Sequence, residues 1–455
     1  MEKEAGIEDG VRNKKLGGDK KKMKAKNKTL ALLEIAFVLC SVLLVTIPAI
    51  AAGQNTITTT SKDDYVLGVY GNANEDDTID MRDLTYVKLI FFGKKPETEL
   101  ADAKYDGKIN PLDFIQIKLI IVGKEKELTF VDARGDVVTA NEPIKRIVLL
   151  NGDLGEAIRV LHAEDRVVGV TESIKKCKNR LPVISKTPSV GGWYTPDIEA
   201  ILMQNPDTVC VYGKWPKPEM LEDKLPSGIN VIRLDFYIGS KLRNEMKILG
   251  YLLGEVENAD EYIKWHDTVV DEIESRVSMV PEDEKVDIFI DGGGGKKFGR
   301  RAYSTGTGMH DLCVLAGGRD IAEDYVSGYA DVETEWILEQ DQKKGLDAIV
   351  GITYVRAYET DDNTKMKEHY DEILGLPGFN NVTAVANNRV YIISNSFAFG
   401  PHYPAALATI AKWFYPNRFK DLNPTVIHQE YLNKYLRIDL DVTKHGVFTY
   451  PSLAG

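Results

Sequence analysis

Oxygen-bearing side chains recur in two twelve-residue windows set thirty positions apart. In the first, Asn72, Asn74, Asp76, Asp80 and Asp83 occupy positions 1, 3, 5, 9 and 12, and the backbone carbonyl of Thr78 is available at position 7. Ca2+ is a hard cation that takes six to eight oxygens, and carboxylates, amides and a carbonyl at this spacing supply them. The second window offers Asp102, Asp106, the carbonyl of Lys108, Asn110 and Asp113. Identical pairs across the shift include Asp76/Asp106, Ile79/Ile109, Asp83/Asp113, Lys88/Lys118, Leu89/Leu119 and Gly93/Gly123.

The departures grade the two loops. Position 6 of the first is Asp77 instead of glycine, and Asp tolerates the left-handed backbone that the turn needs better than most residues. The second loop has Gly107 there but Lys104 at position 3. An ammonium cannot ligate a cation, so that loop is either weak or uses Lys104 in part of the metal's place. Position 12 is Asp in both, one methylene shorter than the usual Glu. A single helix is expected after each loop, Leu84 to Phe92 and Phe114 to Val122. This loop–helix duplication over 63–125 resembles a type I dockerin, and the resemblance implies Ca2+ as cofactor and a cohesin-bearing protein as partner.

The apolar pattern that must position any second site begins beyond Leu128. Short apolar runs alternate with helical segments at 146–150, 166–170, 207–211 and 230–234, and again at 285–290, 347–350 and 389–393. That alternation predicts parallel sheet flanked by helices, in two lobes. At a shift of 136, Thr195 to Gln204 lies over Asp331 to Gln340 and pairs Glu199 with Glu335. Between the lobes, Asn258 and Glu261 are expected to start a helix that Pro281 stops. About 22 residues at 1.5 Å each make a rod of roughly 33 Å, enough to bridge two lobes.

The first 28 residues carry ten Lys or Arg against five Asp or Glu, whereas the whole chain has a net charge of −12. An acidic body has no footprint for nucleic acid. Leu30 to Ala52 is apolar, follows a basic flank and ends in small residues. It reads as either a cleaved signal peptide or a retained membrane anchor, and it places everything beyond it outside the cytoplasm. Residues 53–62 form a Thr-rich linker. Cys177, Cys210 and Cys313 show no paired spacing, which leaves packing or one bridge as their roles.

The phrases Ile144 to Leu150, Leu154 to Gly169, Asn205 to Val209 and Leu315 to Ile321 together resemble the helical-backbone class of periplasmic binding proteins. That class delivers ferric siderophores, haem or cobalamin to ABC importers. The resemblance covers about 128–450 and implies a rigid connecting helix, modest lobe movement, a ligand in the cleft and no catalysis. Open parallel sheets also place ligands at the carboxyl ends of their strands. The loops there supply Asn151, Trp193, Tyr194, Tyr212, Trp215 and Tyr237 from the first lobe. Tyr303, Tyr354, Arg356, Tyr358, Phe399 and His402 come from the second, His402 as an iron ligand or a structural residue. Aromatic faces suit a flat chelate, and Arg356 suits a carboxylate or phosphate. Glu199 and Glu335 match the glutamates with which the family docks on its permease.

Asp291 to Lys297 is glycine-rich but lacks the spacing of a phosphate loop, so a flexible loop at the cleft mouth is expected, with Lys296, Arg300 and Arg301 toward an anionic ligand. The expected fold is α/β, with two Rossmann-like lobes joined by a long helix and preceded by a small α dockerin-like calcium module. The expected boundaries are 1–52 for the basic stub and apolar segment, 53–62 for the linker, 63–125 for the module and 126–450 for the solute-binding domain. Within the last, the lobes fall at about 144–240 and 285–420 and the connecting helix at about 258–280. The functional expectation is a surface receptor that passes a metal chelate to an ABC importer permease. A chelate sensor or store, or a dockerin-targeted subunit of a metalloenzyme complex, are the alternatives.

Overall fold

The computed structural model describes residues 65–295 and 299–452. The expected stub, apolar segment and linker lie outside these residues. The first loop runs into helix α1 (Met81–Phe91) and the second into α2 (Pro111–Ile121). Each helix is started by its own loop. Asp80 and Asn110 are N-caps, and Asp83 and Asp113 reach back to the cap backbone to complete capping boxes. Both helices therefore begin three residues earlier than apolar periodicity suggests.

The inward faces of these helices do not close on themselves. Leu67, Val69, Ile79, Val87 and Ile117 share one core with Leu128 and Phe130, and that core continues into the first lobe. Leu128 and Phe130 lie on β1 (Glu127–Val131), which pairs with β2 (Val137–Asn141). Val131 donates to the Gly68 carbonyl at 2.8 Å, and Tyr70 to that of Thr129 at 2.9 Å. The segment expected to be a separable module is thus packed into the domain that follows it.

The first lobe is a four-stranded parallel sheet in the order β4-β3-β5-β6. Its strands are β3 (Ile147–Leu149), β4 (Val167–Val170), β5 (Thr208–Val211) and β6 (Asn230–Arg233). Helix α3 (Gly152–Val160) follows β3, and the short α4 (Ile198–Met203) precedes β5. Because the chain leaves β3 for one neighbour and later returns on its other side, the crevice beyond Leu149 and Val211 is a topological switch point.

Two helices lead out, α5 (Gly239–Leu253) and the connecting α6 (Val256–Val277). The rod is present, but its cap is not the expected pair. Glu255 is the N-cap, Asn258 lies in the first turn and bonds Glu255 at 2.8 Å, and Glu261 pairs with Lys434 at 2.8 Å.

The second lobe departs from an all-parallel sheet. Strands β7 (Val286–Gly294), β11 (Ala348–Thr353) and β12 (Val390–Ser394) are parallel. Strands β8 (Arg300–Tyr303), β10 (Tyr329–Val332) and β13 (Thr449–Tyr450) add antiparallel edges, while β9 (Gly318–Asp320) runs parallel to the start of β7. The glycine run expected to be a flexible loop is, through Gly294, the end of β7 folding back on β8. Gly299 takes a φ of +75° there, and a side chain on it would strike the Val332 carbonyl. Residues 296–298 lie outside the described part. Helix α7 (Thr334–Lys344) precedes β11, and α8 (Tyr403–Phe414) follows β12.

The lobes meet along a polar seam. Asn179 and Arg180 donate backbone N–H groups to Glu359, and Arg437 reaches the Arg159 carbonyl at 2.7 Å and Glu164 at 2.8 Å. At Gly308 the second lobe approaches the Tyr237 carbonyl so closely that a Cβ would come within 2.5 Å of it. The three cysteines are free and buried, so they pack and do not pair.

Candidate functional site

Loops at the carboxyl ends of β3, β4, β5 and β6 bring five of the expected aromatic residues together. Trp193 and Tyr194 are exposed, and their rings meet edge to face at 5.1 Å. Tyr194 stacks on Trp215 at 4.5 Å, while Trp193 meets the edge of Tyr212 at 6.2 Å. Tyr212 then meets Tyr237 at 5.2 Å, and Tyr237 meets Phe399 of the second lobe at 6.4 Å. One continuous aromatic path therefore crosses the cleft. Tyr212, Trp215 and Tyr237 follow β5 and β6 within four residues, whereas Trp193 and Tyr194 come from the long segment between β4 and α4.

The second lobe contributes a smaller group. The Tyr303 and Tyr354 hydroxyls are 3.1 Å apart, and Tyr329 sits edge-on to Tyr303 at 4.6 Å. Tyr329 has no signal in the sequence, because it starts the polar edge strand β10 and meets Tyr303 only through the β8–β10 pairing. Arg356 is exposed nearby in sequence to Tyr354.

Other expected ligand residues are drawn inward. Tyr358 is buried, and its hydroxyl is 2.9 Å from His428 Nε2. His402 is fully buried with Nδ1 at 2.9 Å from Glu156 Oε2, which also accepts from Tyr431 at 2.9 Å. Arg180 closes the group on the other Glu156 oxygen at 2.8 Å. Burial raises the Glu156 carboxyl, but His402 and Arg180 outweigh it, and the net direction is down. Burial drives His428 well below its ordinary range, so it stays neutral. The correction is that His402 and Tyr358 belong to the interlobe seam, where a buried carboxylate must be paired. Arg300 is likewise buried against Asp291 and Glu372 and does not face a ligand. Arg301 pairs with Asp331 at 3.2 Å.

At the floor, Asn151 follows β3 and is buried with both amide atoms unpartnered. Asp153, two residues on, accepts the Tyr212 hydroxyl at 2.6 Å on Oδ1, while Oδ2 has no partner. Asp153 was not singled out from sequence, because an acid in a helix's first turn usually answers the helix dipole. Glu199 and Glu335 are exposed on the first turns of α4 and α7, one on each lobe.

The two loops expected to bind calcium are held as hydrogen-bonded turns. Asp83 accepts from Asn74 N at 3.1 Å and Asp80 N at 2.7 Å, and Asp113 repeats this with Lys104 N at 2.9 Å and Asn110 N at 2.7 Å. Asn72 is turned partly inward, donating to the Leu67 and Asp76 carbonyls. The guanidinium of Arg82 lies 3.0 Å from Asp76 and 2.9 Å from Asp80. Lys104 swings out to Glu127, so it does not stand in for a metal. Position 4 is left-handed in both loops, at Glu75 and Tyr105; Gly107 is left-handed as well in the second, whereas Asp77 of the first is not. Among the described residues no three His, Cys, Asp or Glu side chains converge as a metal site would need. Burial pushes Asp83 up to about 6.

Among the described residues no helix is long and apolar enough to cross a membrane. The profile of the family described as periplasmic binding protein matches residues 147–396, more than half of the chain. The YvrC substrate-binding lipoprotein of an uncharacterised ABC transporter in Bacillus subtilis is 24% identical over 296 residues, covering 63% of this chain and 84% of that protein. The molybdate-binding protein MolA of Haemophilus influenzae is 23% identical over 330 residues, covering 66% and 88%. Among solved structures, the TroA-like periplasmic binding protein FepB of Veillonella parvula superposes with a TM-score of 0.58 at 21% identity, covering 70% of this chain and 98% of that one. CeuE of Helicobacter pylori, solved as a nickel–histidine complex, gives 0.55 at 19% identity, covering 69% and 96%. The two lobes, the connecting helix and the profile match agree: this chain belongs to the periplasmic binding protein family.

Proposed function

We propose that this chain is an extracytoplasmic receptor that captures a metal chelate in its interlobe cleft and passes it to an ABC importer, without catalysis. The observation that carries this reading is the aromatic path from Trp215 through Tyr212 and Tyr237 to Phe399. Such faces bury a flat, bulky ligand at little entropic cost. The relatives named for molybdate and for nickel–histidine hold metal-centred ligands, which supports a metal chelate as cargo. Ferric siderophore, haem and cobalamin are the candidates.

Glu199 and Glu335, exposed at corresponding places on the two lobes, are the proposed permease contacts. Rim charges of this kind set orientation and association rate. The apolar segment at 30–52 is proposed to hold the chain at the outer face of the membrane, either before cleavage or as an anchor. The loop–helix pair over 63–125 is proposed as a dockerin-like element that binds Ca2+ at the first loop and docks a cohesin partner. Exposed Met81, Phe92, Leu112, Ile115 and Val122 support an outward docking face, since a solvated helix pair has no other use for them.

The experiment is a transport assay in cells with labelled chelate, comparing the native chain with the Trp193→Ala, Trp215→Ala double variant. Uptake that needs the chain and fails in the variant supports the receptor reading. Equal uptake without the chain would overturn it.

A further inference from the structure

The cleft floor holds buried oxygen atoms that no protein donor reaches. Asn151 and Asp153 are only 3% and 8% exposed, yet the Asn151 carbonyl oxygen and Oδ2 of Asp153 have no protein donor, while the Asn151 amide N–H faces the Tyr212 hydroxyl. The Tyr212 hydroxyl spends its single hydrogen on Asp153 Oδ1 at 2.6 Å, so it turns lone pairs toward its other neighbours. Gly400 of the second lobe lies against Asp153. The Tyr212 ring between Trp193 and Tyr237 ties the same group to the aromatic path. Leaving a buried carboxylate oxygen without a donor is costly, so this floor is built to be completed by something else.

No protein cation completes it. Arg180 is the nearby guanidinium, and it is committed to Glu156 at 2.8 Å. Burial pushes Asp153 up to about 6, and the Tyr212 hydrogen bond and the Arg180 charge oppose the rise. Glu245, buried on α5, is driven by burial well above the carboxylate range and remains neutral beneath it.

Building on the chelate-receptor reading, we infer that Asp153, with Asn151 and Tyr212, selects a ligand arm that is cationic or rich in hydrogen-bond donors, and rejects oxyanions and anionic chelates. Asp153 is thereby a specificity-determining residue. An ammonium or amide arm would satisfy Oδ2 and the Asn151 carbonyl oxygen together, whereas a carboxylate or molybdate oxygen, even where the Asn151 amide N–H meets it, would face the Asp153 carboxylate. Charge-assisted hydrogen bonds in such a desolvated place are the strong ones.

The test titrates the full chain with ferrioxamine B, which has a free ammonium tail, and with its N-acetyl derivative, which differs only in lacking that charge. Tryptophan quenching reads the binding. The native chain is expected to prefer the ammonium form at least tenfold, and Asp153→Asn to bring the ratio close to one. Equal affinity for the two forms in the native chain, a ratio that survives in Asp153→Asn, or saturable binding of molybdate would each overturn the inference while leaving the receptor reading intact. If the variant does not fold, judged by near-ultraviolet circular dichroism, the native ratio decides alone. No saturation with either form, nor with haem, cobalamin or a ferric catecholate, overturns the receptor reading and the inference together.

Discussion

The hydroxyl of Tyr251, on α5 of the first lobe, accepts the backbone N–H of Ile79, in the first calcium loop, at 2.8 Å. Around this bond Thr78 Oγ1 lies 3.3 Å from the same hydroxyl, Arg243 pairs with Asp77 at 3.0 Å, and Asn244 accepts from Tyr65 at 3.0 Å. The loop–helix pair is therefore fastened to the helix that begins two residues after Tyr237. Tyr251→Phe strands a buried N–H and should cost about 1–3 kcal/mol. Urea unfolding should show one cooperative transition in the native chain, because the core is continuous, and a lower midpoint in the variant. Two native transitions would show instead that the module folds independently.

Arg82 competes with any cation for Asp76 and Asp80. Arg82→Gln should raise the calcium affinity of the first loop about tenfold, measured by isothermal titration calorimetry. Unchanged or weaker binding would mean that Arg82 does not occupy the metal's place.

Glu142 is a half-buried carboxyl whose Oε1 is buried and unpartnered, and burial pushes its pKa up to about 8. Its protonated form is favoured by folding. The stability it confers is complete below the ordinary carboxylate range near ~4.3, and it is lost as pH rises to about 8, by at most about 1.4 kcal/mol per pH unit. Glu142→Gln should flatten that decline and leave the chain more stable than native at pH 8. Denaturant midpoints at several pH values check this, and parallel pH profiles for the two proteins would refute it.

The double variant Glu199→Ala, Glu335→Ala should keep chelate affinity within twofold and abolish uptake, because both side chains are exposed and lie away from the aromatic path. Surface substitutions of this kind move stability by about 0.5 kcal/mol or less. Undiminished transport would remove the two glutamates from permease docking.

Much of this architecture is legible in the chain because its signals are local. Runs such as Ile147 to Leu149 and Ala348 to Thr353 are continuous and apolar, as strands buried on both faces must be, and all seven expected strands are found. The edges β8 and β10 escape notice because Arg300, Arg301 and Asp331 make them polar, and their pairing depends on a glycine turn. The candidate site is legible where a ring closely follows a strand, as for Tyr212 and Trp215 after β5. It is not legible where burial depends on a distant partner. His402 and Glu156 are 246 positions apart, and nothing near either announces the pair. Asp153 is missed for the same reason, since its unpartnered oxygen is a property of three elements meeting.

The most direct measurement is titration of the full chain, kept in mild detergent, with cobalamin, haem and ferric siderophores while tryptophan emission and the chelate's visible spectrum are followed. Saturable one-to-one binding at micromolar affinity or tighter is predicted, with quenching that is lost when Trp193 and Trp215 are replaced by Phe. No saturation across the panel, or quenching that persists without those two residues, would contradict a chelate bound along the aromatic path.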